Sequence, residues 1–113
     1  MSQVTVKNKA GYVISVMIEA RRQHYQFSPG KGEELVPGQF TQFYKKDGVP
    51  LGDSTNYTIE QEDPPLLEPK LHIYVNGGVK GETYKTIDLD LSKSYTVTTG
   101  GTICKPKYSI NVK

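Results

Sequence analysis

"GYVISVMIEARRQHYQ", residues 11–26, decides the fold, because two elements compete for it. As a helix, Val13, Val16, Met17 and Ala20 would line one face, and Met17, Glu19, Ala20, Arg21 and Arg22 are good helix formers. As a strand, Tyr12, Ile14, Val16, Ile18 and Ala20 make an unbroken period-two row behind the turn Asn8-Lys9-Ala10-Gly11. Val13, Ile14, Val16 and Ile18 are β-branched, which costs side-chain freedom in a helix and suits a pleated surface. The strand reading is adopted over residues 11–20. Val13 and Met17 give it a second, partly apolar face, Arg21-Arg22-Gln23 marks its exit into solvent, and a short strand follows near 23–27.

The rest of the chain repeats the alternation. Leu71, Ile73 and Val75 share one face while Lys70, His72 and Tyr74 share the other. Ile87, Leu89 and Leu91 alternate with Thr86, Asp88 and Asp90, Tyr95 and Val97 with Thr96 and Thr98, and Tyr108, Ile110 and Val112 close the chain. Asn76-Gly77-Gly78, Gly100-Gly101, Asp47-Gly48 and Pro37-Gly38 supply turns. Strands are predicted near 3–7, 11–20, 23–27, 39–45, 55–61, 69–76, 82–91, 94–99 and 106–112. Seven to nine short strands with such punctuation predict an all-β fold, an antiparallel β-sandwich, in one domain over residues 1–113. The strand pattern resembles small extracellular-type sandwiches of immunoglobulin-like, lectin-like or toxin-associated kind. With one Cys and no Trp, the chain lacks the Cys, Trp, Cys hallmark of true immunoglobulin domains.

Composition narrows the function classes. Hydrophobic residues make up 35% and charged ones 23%, with a net charge of +2, as for a folded domain rather than a disordered one. The two signs are mixed along the chain, which argues against a dedicated polyanion binder, and nucleic acid is not an expected partner. Neither a signal-peptide pattern nor an apolar membrane-spanning run occurs in the chain, so the expectation is a cytoplasmic protein or a mature secreted one. Cys104 has no internal partner for a disulfide. Asn56-Tyr57-Thr58 matches the N-glycosylation acceptor pattern.

Catalytic groups are scarce. His24 and His72 are the only imidazoles, neither in a recognised motif, and two His with one Cys give no zinc spacing. Gly77-Gly78-Val79-Lys80-Gly81 lacks the Gly-Lys-Ser/Thr ending of a phosphate loop. Asp88 with Asp90, and Glu60, Glu62 and Asp63, lack calcium-loop spacing. Neither an enzyme, a cofactor nor a metal is expected.

Binding surfaces are more promising. If Asn76 pairs near Lys80, His72 falls opposite Tyr84 and Tyr74 opposite Glu82, so that His72, Tyr74 and Tyr84 share a face continued by Thr86, Asp88 and Asp90. Aromatic rings beside carboxylates can stack on a sugar and hold its hydroxyls, or meet a protein. Arg21 and Arg22, with His24 and Tyr25, form either a solvated strand end or an anion contact. Leu66 and Leu67, between prolines, either plug the sandwich or stand out as an anchor for a partner. The expected function is a binding module for a carbohydrate or another cell-surface component. The alternative is a structural, assembly or toxin-component module making protein contacts or homo-oligomers through strand edges and the proline-rich loop.

Overall fold

A computed structural model of the protein describes residues 1–75, 83–102 and 105–113, and for Thr83 and Tyr84 the backbone alone. The chain forms β1 (Ser2–Asn8), β2 (Ile14–Ser28), β3 (Gly32–Val49), β4 (Ser54–Ile59), β5 (Leu67–Val75), β6 (Thr83–Asp88), β7 (Tyr95–Thr102) and β8 (Lys105–Val112). They build two four-stranded sheets, one in the order β4-β1-β7-β8 (sheet I) and one in the order β3-β2-β5-β6 (sheet II). The β-sandwich class holds. One pair, β1 with β7, is parallel; all others are antiparallel.

The period-two rows explain the core. Val4, Val6, Ile59 and Val97 of sheet I face Ile14, Val16, Ile18, Leu71 and Ile73 of sheet II, all buried. Each such aliphatic side chain contributes about 1.5–3 kcal/mol by leaving water. Tyr44 of β3 stacks on Tyr57 of β4 with ring centroids 4.8 Å apart, closing one side of the sandwich. On the other side Lys85 of β6 caps the ring of Tyr108 on β8 at 4.7 Å.

Residues 11–26 are strand, not helix, and the chain does not leave the sheet at Arg21-Arg22-Gln23. β2 runs on without a break to Ser28, a strand of 15 residues paired with the 18 residues of β3. The β2–β3 register shifts between Ile18 and Glu19 and between Arg21 and Gln23, as at bulges. The last β5 partner of β2 is Leu67, opposite Arg21. Beyond it the β2–β3 ribbon stands alone as an arm, turning at Pro29–Lys31, and it stretches the molecule to 58 Å in its long dimension.

Strand direction sorts the connections. Because β7 runs parallel to β1, the joints β1–β2, β3–β4, β5–β6 and β7–β8 all lie at one end, here called the far end. Both termini, the arm and the joints β4–β5 and β6–β7 lie at the other, the near end, where Ser2 Oγ donates to Lys93 O and Ser94 exchanges backbone bonds with Lys113. Asn8 ties the far end together. Its Nδ2 donates to Tyr12 O (2.8 Å) and Val49 O (2.9 Å), its Oδ1 accepts from Ala10 N (3.0 Å) and Thr99 Oγ1 (2.9 Å), and its backbone bonds Asp53 and Gly52.

Candidate functional site

The outer face of sheet II holds the residues the sequence singled out, in a different register. His72 pairs with Thr86 and Tyr74 with Thr83, not with Tyr84 and Glu82. Burial sets this register: it puts Leu71 opposite Ile87 in the core and Lys70 opposite Asp88 on the surface, where Lys70 Nζ lies 3.6 Å from Asp88 Oδ1. Tyr84 falls at the irregularity between the partners of Ile73 and Tyr74, and its side chain lies outside the described residues. The same holds for the Asn76–Glu82 hairpin loop and for Cys104. His72 and Tyr74 stay neighbours, with ring centroids 6.2 Å apart and tilted.

A hydroxyl, an imidazole and a carboxylate line up across this face. His72 Nδ1 lies 2.9 Å from Thr86 Oγ1, and His72 Nε2 lies 2.8 Å from Glu19 Oε1. The order is that of a catalytic triad. The row lies on an open sheet face. It ties β6, β5 and β2 together. Asp90 leaves the row altogether: its Oδ1 accepts from Ser92 N (3.0 Å) and Ser92 Oγ (2.7 Å), which holds its carboxyl below the ordinary value. Among the described residues, no group of three or more His, Cys, Asp and Glu could hold a metal ion.

At the base of the arm both arginines are occupied. Arg21 Nε donates to Gly38 O (2.7 Å) and its Nη1 meets Glu68 Oε2 (3.0 Å). Arg22 grips Glu62 with two parallel bonds, Nε to Oε1 at 2.9 Å and Nη2 to Oε2 at 3.1 Å, and lies 4.6 Å over the Phe43 ring. Hydrogen bonding to Glu62 raises the Arg22 pKa further above its ordinary value. They do not stand at a strand end, since β2 continues to Ser28; these partly exposed cations fasten the β4–β5 connection to β2. Gln23 adds a bond to Pro65 O (2.7 Å). Under the connection Leu66 is buried and Leu67 half-buried as the first residue of β5, so Leu66 is a plug and not a protruding anchor. Beside it a hollow of about 600 Å³ opens between Glu62, Pro65, Leu66, Leu89 and Leu91.

The exposed apolar surface lies elsewhere. On the arm, Tyr25 (63% exposed) sits opposite Leu35 (42%), next to Phe27 (71%) on the same face. Of these the sequence reading flagged Tyr25 alone, because Phe27 and Leu35 were not recognised as belonging to one ribbon. At the far end Leu51 is 54% exposed in the β3–β4 joint. Lys105 and Lys107, with Tyr108 a modest basic and aromatic cluster in the sequence, were weighed there only for nucleic acid, and Lys7 and Lys9 were passed over; all four lysines are exposed near that end.

No protein-family model matches the chain, and no curated protein matches its sequence. Solved structures do match its fold. The membrane-binding domain of pneumolysin superposes with a TM-score of 0.68 at 16% identity, over 99% of this chain and 96% of that one. Wild-type pneumolysin gives 0.68 at 16% identity, and listeriolysin O 0.64 at 19%, each over 99% of this chain. The chain spans 23% and 22% of those two toxins, less than a quarter of their length. The fold is thus that of the membrane-binding domain of pneumolysin.

Proposed function

We propose that this chain is a non-enzymatic binding domain that attaches a protein to a cell surface, in the manner of a toxin component, and that the membrane itself is the surface it meets. The end-to-end likeness to a domain named for membrane binding, over 99% and 96% of the two chains, carries the reading. The topology supports it. Both termini lie at the near end, so a polypeptide continuing from either would leave the far end, with its four joints and exposed Leu51, free to approach a surface.

The test is flotation of the folded chain with vesicles of total plasma-membrane lipid, beside a broad glycan array. Co-flotation that Leu51→Asp weakens is the expected result; a folded sample that binds neither vesicles nor whole cells refutes the reading. Carbohydrate recognition is the narrower version, resting on the His72–Tyr74 pair. Selective array binding that Tyr74→Ala removes would establish it. Protein contact through the arm is the second reading, favoured by the exposed Tyr25, Phe27 and Leu35; it predicts concentration-dependent oligomers that Phe27→Asp abolishes.

A further inference from the structure

The fold distributes the charges unevenly: at the near end carboxylates stand among Arg21, Arg22, Lys70 and Lys93, and at the far end lysines outnumber them. Glu60, Glu62, Asp63, Glu68, Asp88 and Asp90 gather toward the near end, on the β4–β5 and β6–β7 connections and the adjoining strand ends. At the far end of sheet I stand Lys7, Lys9, Lys105 and Lys107, with Lys45 and Lys46 across on β3. Among the described residues the carboxylates at that end are Asp47, 3.7 Å from Lys45, and Asp53.

The outer face of sheet I is one-signed. Since Val4, Val6, Tyr95 and Val97 point into the core, Gln3, Thr5 and Lys7 of β1 and Thr96 and Thr98 of β7 point out. The register continues this face to Ser109 and Lys107 on β8 and to Asn56 and Thr58 on β4. No described residue on it is acidic, and none of the four lysines is in an ion pair within the described residues. Lys9 and Lys107 flank a shallow hollow of about 240 Å³ whose lining includes Thr98, Gly100 and Ser109. On sheet II, by contrast, Arg21, Lys70 and His72 each face a carboxylate of the chain itself.

We propose that the far half of this face docks on anionic lipid headgroups, with Lys7, Lys9, Lys105 and Lys107 as the contacting charges and the hydroxyls of Thr98 and Ser109 as donors to headgroup oxygens. The inference rests on the membrane reading above and adds the lipid chemistry. Charge complementarity identifies the occupant, and residue type selects among polyanions. Arginine forks suit an anion of fixed geometry, whereas lysine is a flexible point charge suited to a fluid array of headgroups. Both arginines of this chain are committed to internal carboxylates. Free bases would stack on exposed aromatic rings, and the outward positions of sheet I from Gln3 to Asn111 carry none.

The experiment floats the whole chain with phosphatidylcholine vesicles and with phosphatidylcholine vesicles containing phosphatidylserine, at low and high salt. Binding should require phosphatidylserine and fade with salt. Replacing one of the four lysines by Gln should weaken it about fivefold, and K7Q/K9Q/K105Q/K107Q several-hundredfold. Lys31→Gln and Lys93→Gln, at the near end, should change nothing. Equal binding to both vesicle types, untouched by the fourfold variant, overturns the proposal and leaves the membrane reading standing. Binding to neither these nor plasma-membrane lipid vesicles removes both. A fourfold variant that keeps phosphatidylserine binding but loses retention on heparin overturns it in favour of an anionic polysaccharide.

Discussion

Replacing Asn8 by Ala should unfold the far end before it touches any binding residue. Asn8 is fully buried, and its side chain completes four hydrogen bonds to groups on the β1–β2 joint, β3 and β7. Ala leaves the carbonyls of Tyr12 and Val49, the amide of Ala10 and the hydroxyl of Thr99 without that partner. An unsatisfied buried group costs about 1–3 kcal/mol. Carbonyls retain a second acceptor site, so the low end of that range applies and the sum is about 3–5 kcal/mol. Against the total of about 5–15 kcal/mol usual for a domain, that is a severe loss. Urea unfolding followed by circular dichroism reads it, and hydrogen exchange at Gly11 and Gly52 localises it. Asn8→Asp separates hydrogen bonding from shape. A carboxylate there faces two carbonyls, so its folded pKa rises above the unfolded value of about 3.9. The variant should then be most stable below that value and lose stability as pH rises through the folded pKa. A loss under about 1 kcal/mol for Asn8→Ala, the worth of one ordinary bond, or a pH-independent Asn8→Asp, would refute the clamp.

Three further outcomes follow from local geometry. Gly101 has φ 79° and its missing Cβ would overlap the Lys105 carbonyl oxygen, so Gly101→Ala should disrupt the β7–β8 hairpin, read as lost exchange protection at Gly11, whose N–H bonds Gly101 O. Arg22→Ala should cost about 0.5–1.5 kcal/mol from the exposed pair with Glu62 and the Phe43 contact, and Arg22→Lys should recover little because the two-bond fork is lost. Asp90 titrates below its ordinary value because Ser92 bonds its ionised form; its contribution to stability is present above the unfolded pKa and disappears as pH falls through the folded one. Ser92→Ala should move the NMR midpoint of Asp90 upward, and an unmoved midpoint would refute the assignment.

The strands were legible because one physical rule, burial of every second side chain, dominates from Val4 to Val112. β2 was recognised as strand on this ground even though its charged end favours helix by propensity. The arm was hidden because beyond Ala20 the ribbon leaves the core and carries the polar run Arg21-Arg22-Gln23-His24, so a strand without a buried face read as an exit. The β5–β6 register failed for a different reason. Sliding His72 from Tyr84 to Thr86 moves two positions and keeps Thr86 and Asp88 on the face of His72 and Lys70, so alternation is blind to the error there. Only cross-strand partners distinguish the two, here Leu71 with Ile87 and Lys70 with Asp88.

The charge pattern shows the same limit at larger scale. Alternation tells which face a lysine occupies, not which lysines of other strands share it. Lys7 and Lys107 are a hundred residues apart in sequence yet two rungs apart on strands separated only by β7, because the parallel β1–β7 pairing aligns Lys7 with Thr98, and β8 then sets Ser109 beside Thr98 and Lys107 beside Gly100. A net charge of +2 with well-mixed signs describes the whole chain and not the distribution of its charges over each face. A flat anionic surface within about a Debye length, about 8 Å at physiological salt, meets only the face turned toward it. On the far half of sheet I that face is lysine, threonine and serine, and apart from Asp47 and Asp53 in the β3–β4 region the described carboxylates lie toward the other end of the molecule.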